Sequence, residues 1–226
     1  MDKKGKSKEE MYLFYRVTIN IRDRICGGIP KSKDVIAKWV ETKIKGAEAQ
    51  KEVVKETVAA MGDQLTEEKI AKMWTGFKKD GDGPYIEARQ AMALLKESAN
   101  ILKGLKPKTG KGSKPIIDIA NFRARLAERV FVEPNRLHLG VGPEEPVEFM
   151  ERTIDVMTPQ GPRSAFKRVD YVEQPTITFT LRVLNDELID REDLEKVLIH
   201  GQNLGIGADR SQGYGKFDLV SIEETK

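Results

Sequence analysis

Residues 205 to 217 read Gly-Ile-Gly-Ala-Asp-Arg-Ser-Gln-Gly-Tyr-Gly-Lys-Phe, with glycines at 205, 207, 213 and 215, Arg210 between the pairs and Lys216 after them. Glycine lets the backbone take positive φ and approach a ligand closely. Successive amides in such turns can point inward around an anion. The chemistry on offer is phosphate binding; a tight turn without a ligand is the alternative. Element order removes the commoner nucleotide motifs. A helix precedes this loop and a strand follows it, whereas the dinucleotide fingerprint runs strand, loop, helix. No Lys-Ser/Thr pair opens a helix afterwards, so this is no P-loop, and phosphate binding at a helix N-terminus is excluded on this reading.

Few other side chains could do chemistry. The histidines are His138 and His200, and the sole cysteine is Cys26. One Cys and two distant His cannot build a thiolate–imidazole zinc site, so neither a metal nor a cofactor is expected. Histidine is the commonest general acid or base near neutral pH. His200 lies at the edge of the apolar face of the last helix, and His138 alternates with Leu137 and Leu139 in a short strand; both are read first as structural or solvated residues. A net charge of +3 with 33% charged residues permits a nucleic-acid partner without demanding one. No stretch approaches the roughly 18 apolar residues of a membrane span. The start of the chain lacks the apolar middle of a secretory signal, and one cysteine suits a reducing compartment. A cytoplasmic location without membrane contact is the expectation.

The elements that must position these residues show in the periodicity. Residues 1–10 read as a disordered basic tail. Leu13, Tyr15, Val17, Ile19 and Ile21 alternate with Tyr12, Phe14, Arg16, Thr18 and Asn20, the period of a half-buried strand. Cys26-Gly27-Gly28-Ile29-Pro30 breaks it, and Ser32 is placed to cap a helix through Val35, Ile36, Trp39 and Val40. From 46 to 105 the pattern reads as helical, interrupted by the turn Asp80-Gly81-Asp82-Gly83-Pro84. Its last helix has Ile86, Ala91, Leu94, Leu95, Ala99 and Leu102 as the buried side. Residues 103–114 hold five lysines and three glycines and form a mobile basic loop. A helix over 117–129 and short strands near 130, 138 and 151–157 follow. In the next strand Ile177, Phe179, Leu181 and Val183 oppose Thr176, Thr178, Thr180 and Arg182. Asp190 caps a helix whose buried face is Leu194, Val197, Leu198 and Gly201, with Gly201 allowing close approach to a sheet and Gly205 ending the helix. A last strand runs from Tyr214 to Glu223, with Phe217, Leu219 and Ser221 opposing Asp218, Val220 and Ile222. The fold class is α+β: a ferredoxin-like (RRM-like) antiparallel sheet made by 11–45 and 115–226 on the βαββαβ plan, with a large helical insertion at 46–105.

Residues 205–217 resemble the glycine-rich C-terminal signature of the RAMP (repeat-associated mysterious protein) superfamily. Tyr171-Val172-Glu173-Gln174-Pro175-Thr176-Ile177-Thr178-Phe179 is similar to the strand those proteins place before their last helix, and residues 84–96 to a helix of their backbone subunits. The good match covers 165–222. The resemblance implies a non-catalytic CRISPR-associated RNA-binding subunit in antiviral defence. Such a subunit holds single-stranded or guide RNA by phosphate contacts and associates with itself or with other RAMP subunits. The candidate RNA-binding residues are Gly205, Gly207, Arg210, Ser211, Gly213, Tyr214, Gly215, Lys216, Arg16, Arg22 and Arg182, with Tyr12 and Phe14 as further stacking faces. Two alternatives stand beside it. One is an assembly protein of a phage or mobile element; the other is a RAMP-type endoribonuclease, for which the candidates are His138, His200 and Asp23, the last just after the first strand where some backbone subunits hold a metal-bound Asp.

Overall fold

The structure, a computed structural model, describes residues 11–31, 73–106, 114–158 and 161–225. Among these the elements run β1 (Tyr12–Ile21), β2 (Arg24–Cys26), β3 (Ile29–Pro30), β4 (Met73–Gly76), β5 (Lys78–Asp80), β6 (Gly83–Glu87), α1 (Ala88–Leu102) and α2 (Phe122–Arg129). There follow β7 (Val130–Glu133), β8 (Arg136–His138), β9 (Glu148–Thr158), β10 (Gly161–Glu173), β11 (Thr176–Leu184), α3 (Arg191–Leu204) and β12 (Phe217–Thr225). The expected tail at 1–10, the Ser32-capped helix, residues 46–72 and the middle of the basic loop lie outside the described residues.

The central sheet has the order β12-β1-β11-β7 and is antiparallel throughout. Alternation sets its faces as the sequence indicates: Tyr15, Val17, Ile19 and Ile21 on β1 and Ile177, Phe179, Leu181 and Val183 on β11 are all buried. The opposite rows carry Arg16, Asn20, Thr176 and Thr178, which are exposed. On β12 the alternation changes phase. The register with β1 shifts between Thr18 and Ile19, so Thr18 pairs with Ser221 but Ile19 pairs with Leu219. The extra residue of this bulge reverses parity, and Ile222, expected outward, is buried in place of Ser221.

Helices α1 and α3 cover the apolar face. In α1 the buried residues Ala88, Ala91, Leu94, Leu95, Ser98, Ala99 and Leu102 recur at helical spacing. In α3 they are Leu194, Val197, Leu198 and Gly201. The Asp190 carboxylate caps α3 by accepting from the Asp193 amide at 2.8 Å. Gly201 lets the helices close on each other rather than on the sheet, since a Cβ there would stand 3.4 Å from Leu94 Cγ. Beside it the buried Ser98 hydroxyl donates to the Val197 carbonyl at 2.6 Å.

Two expectations need correction. Residues 73–87 are not helical: they fold as β4, β5 and β6, and only 88–102 of the described part of 46–105 is helix. The apolar spacing of Met73, Trp74 and Phe77 looks helical, but these strands are three to five residues long and too short to display alternation. Their partners are remote: β4 pairs in parallel with β10, and β6 pairs with β8. The helix expected from Ile117 starts at Phe122 instead. Asn121 turns left-handed at φ 54, and the buried Ile117 bridges Lys103. The Asp80–Pro84 turn does form, as the β5–β6 hairpin. A second sheet, β2-β10-β4-β3 with β9 on β10, lies alongside. No helix among the described residues is long and apolar enough to cross a membrane.

Candidate nucleic-acid interface

The glycine loop begins where α3 ends, at Gly205, and folds back on itself. The Ile206 amide donates to the Gly215 carbonyl at 2.9 Å, while the Gly215 amide donates to the Arg24 carbonyl at 2.8 Å. The Ala208 amide donates to the Cys26 carbonyl at 3.0 Å, and Gly207 lies against Ile25 of β2. Gly205, Gly207, Gly213 and Gly215 all take positive φ. At Gly215 this is obligatory, because a Cβ there would overlap the Ile206 carbonyl. The expected cradle of consecutive amides is therefore not formed. Alternate amides are spent inside the protein, and positive charge at the loop comes from side chains.

Asp209 anchors the loop from the other side. Its carboxylate accepts from Arg152 of β9 at 2.7 Å and from Lys167 of β10 at 3.0 Å. Cys26, beneath the same loop, is 1% exposed. Burial first, and then the Asp209 charge, push its thiol up to about 12. It is a neutral thiol at physiological pH, and the thiolate is the reactive form. Iodoacetamide is expected to leave Cys26 unlabelled in the folded protein and to label it once urea unfolds the chain; fast labelling without denaturant would contradict this burial.

Between the loop and the first turn of α1 lies a cavity of about 280 Å³. Gly205, Ile206, Gly207, Ala208 and Arg210 form one wall, Arg89, Gln90 and Ala93 of α1 the second, and Gly28 and Ile29 the rim. Arg210 Nη1 donates to Glu97 of α1 at 2.8 Å and reaches the Gly205 carbonyl. Arg89 pairs through Nε with Glu87. A guanidinium has five N–H donors in a fixed fork, so each keeps donors beyond those its carboxylate takes. The helix start that the loop's own order could not supply is thus brought in by a remote helix. Arg89, Gln90 and Gly28 were not singled out as site residues in the sequence, although Arg89 and Gln90 sit in the 84–96 segment of the RAMP resemblance.

The remaining sequence candidates fall elsewhere. Ser211 and Gly213 are exposed at the loop tip and Tyr214 is half-buried. Exposed Lys216 accepts at its carbonyl from the Arg22 amide at 2.9 Å. The Arg22 guanidinium bonds Asp218 at 2.8 Å and Asn203 at 3.3 Å. Arg16 and Arg182 lie on the open face of the central sheet, away from the cavity-lining residues. Arg182 stacks between the rings of Tyr12 and Phe131, at 4.8 and 4.9 Å from their centroids, and pairs with Glu133.

The candidate catalytic residues stand on separate elements, and among the described residues no hydrogen bond or ion pair joins any two of them. Asp23 is exposed beside Arg24 at 3.8 Å. His200 is on α3. His138 Nε2 bonds Asp80 at 2.9 Å, and its neighbours Leu137 and Leu139 are buried. Asp80, Asp82 and His138 place one ligand atom each within 4.8 Å of one another, the geometry of a possible cation site. Asp80 is already bonded to Arg136 at 2.9 Å, and that guanidinium opposes a second cation. Burial raises the Asp80 pKa, but hydrogen bonds from His138, the Asp82 amide and Arg136 outweigh it and hold the carboxyl below its ordinary value. The cluster clamps the β5–β6 hairpin to β8.

No family model and no curated protein matches the chain. Among solved structures it is similar to a chain in the cryo-EM structure of the Type III-B Cmr-beta bound to cognate target RNA, with 17% identity and a TM-score of 0.44. The match covers 96% of this chain and 61% of that one, so the protein spans about three fifths of its length.

Proposed function

We propose that this protein is a non-catalytic RNA-binding subunit of RAMP type, which holds single-stranded or guide RNA by its phosphates and assembles with further copies or subunits. The observation that carries the reading is the cavity where the glycine loop, Arg210 and Arg89 converge beside the first turn of α1. Two guanidiniums and a helix N-terminus favour an anion there. Topology supports it as well. The order β12-β1-β11-β7, with α1 and α3 as the crossover helices, follows the βαββαβ ferredoxin-like plan. On that plan α1 belongs to the domain itself, and the insertion shrinks to the segment between β1 and α1. Lys216 and Arg22 lead from the loop toward the row of Arg16 on the open sheet face, where Arg182 with Tyr12 and Phe131 extends the path.

The test is filter binding of single-stranded RNA over a salt series. Affinity is expected to fall as salt rises, by about 0.7 log units per log unit of salt for each neutralised phosphate. The Arg89→Ala/Arg210→Ala double variant should weaken binding across all sequences and flatten the slope by about 1.4 on the same scale. Negligible binding at low salt, or affinity indifferent to salt, would sink the proposal.

A further inference from the structure

Gln90 carries an inference that rests on the RNA-binding reading and sharpens it. It projects from the first turn of α1, between Arg89 and Ala93, and lines the same cavity as Arg210. Its side-chain oxygen is buried and has no hydrogen-bond partner among the described residues. A buried acceptor left unpaired is costly, and such groups in folded proteins call for an explanation. The cavity, about 280 Å³, is close to the lower end of small-molecule sites, about 300 Å³. Apolar Ile29 and Ala93 line it beside the guanidiniums. That combination is more than a phosphate needs. A phosphate wants donors alone, whereas a carboxamide offers an acceptor next to a donor.

We propose that the cavity takes one unstacked nucleotide of the bound RNA: its phosphate on Arg89 and Arg210, its base between the apolar walls, and the base edge on the Gln90 carboxamide. Gln90 then acts in base recognition, with its oxygen accepting from an amino or imino N–H of the base and its nitrogen donating to the neighbouring acceptor. Single-stranded RNA is commonly read by hydrogen bonds to the edges of such splayed bases. One bidentate edge contact corresponds to about tenfold or more in affinity.

The experiment compares the full chain with Gln90→Met, a near-isosteric apolar change, on 10-mers of uridylate, cytidylate and adenylate and on an abasic ribose-phosphate 10-mer. Filter binding over a salt series gives affinity and slope, and a thermal melt accompanies each protein. The wild type should prefer the base-bearing oligomers to the abasic one by about tenfold or more. Gln90→Met should lose most of that preference while keeping the abasic affinity, the salt slope and a melting temperature no lower than wild type. Undiminished preference in the variant, or no preference in the wild type, overturns the nucleotide pocket but leaves phosphate binding standing. Absence of RNA binding by the wild type at low salt overturns both. A variant that melts early and loses abasic binding in step would show Gln90 to be structural, which also overturns the proposal.

Discussion

Gly215→Ala is expected to cost about 3 kcal/mol or more of unfolding free energy and to abolish RNA binding with it. Two effects add. The residue sits at φ 73, where an L side chain pays about 1–2 kcal/mol. Its Cβ would also overlap the carbonyl of Ile206, a residue 2% exposed in the core. Relieving that overlap means pulling the loop strands apart, which breaks the Ile206–Gly215 and Gly215–Arg24 hydrogen bonds. Gly213→Ala is the internal control. Its φ of 93 is equally left-handed, but a Cβ there would meet nothing within 4 Å, so only the conformational part, about 1–2 kcal/mol, should appear. Urea unfolding of both variants decides it; equal costs at 213 and 215 would show that the close approach to Ile206 does not hold the loop.

The second large effect concerns Asp170 on β10, 3% exposed. Its carboxylate pairs with Lys31 and accepts from the Trp74 indole N–H. Lys31 in turn lies 4.3 Å from the Trp74 ring centroid, and Arg168 stands 4.6 Å from the same ring. Asp170→Ala strands a largely buried ammonium and an indole donor together, so a loss of about 3–5 kcal/mol is expected. The pair is nevertheless not a net gain for the charged form. Burial pushes the Asp170 carboxyl above its ordinary value, against the opposing pull of Lys31 and Trp74. The native state therefore keeps the proton to higher pH than the unfolded chain does. This contribution favours the fold most below the ordinary carboxylate value, and it declines as pH rises from there through the raised value. Unfolding measured across acid pH should show that decline in wild type and a flatter profile in Asp170→Asn. A wild-type contribution that instead rises with pH over that window would mean that pairing, rather than burial, dominates.

How legible the molecule was from sequence depended on element length and on partner distance. Strands β1 and β11 were readable because nine or ten residues of alternation leave one face to the core. The face of α3, its Asp190 cap and its Gly205 terminus were readable for the same local reason. Strands β4, β5 and β6 were not. Each is short, and each is stabilised by pairing with chain far away in sequence, so local periodicity misassigns them as helix. The phase change in β12 was hidden too, because the bulge exists only through pairing with β1.

The same division applies to the glycine loop. Its composition, its place between a capped helix and a final strand, and the exclusion of dinucleotide and P-loop motifs were determined by the sequence alone, since they depend on residue type and order along the chain. What its glycines do was decided by tertiary structure: they pack the loop onto β2 and consume the amides that would have cradled an anion. The cavity was decided there as well. Arg89 and Gln90 stand more than a hundred residues before Arg210, and only the packing of α1 against α3 brings a helix start, two guanidiniums and an unpartnered carboxamide oxygen to one side of the loop. Side-chain chemistry is written in sequence, but convergence on a site is a property of distance in three dimensions.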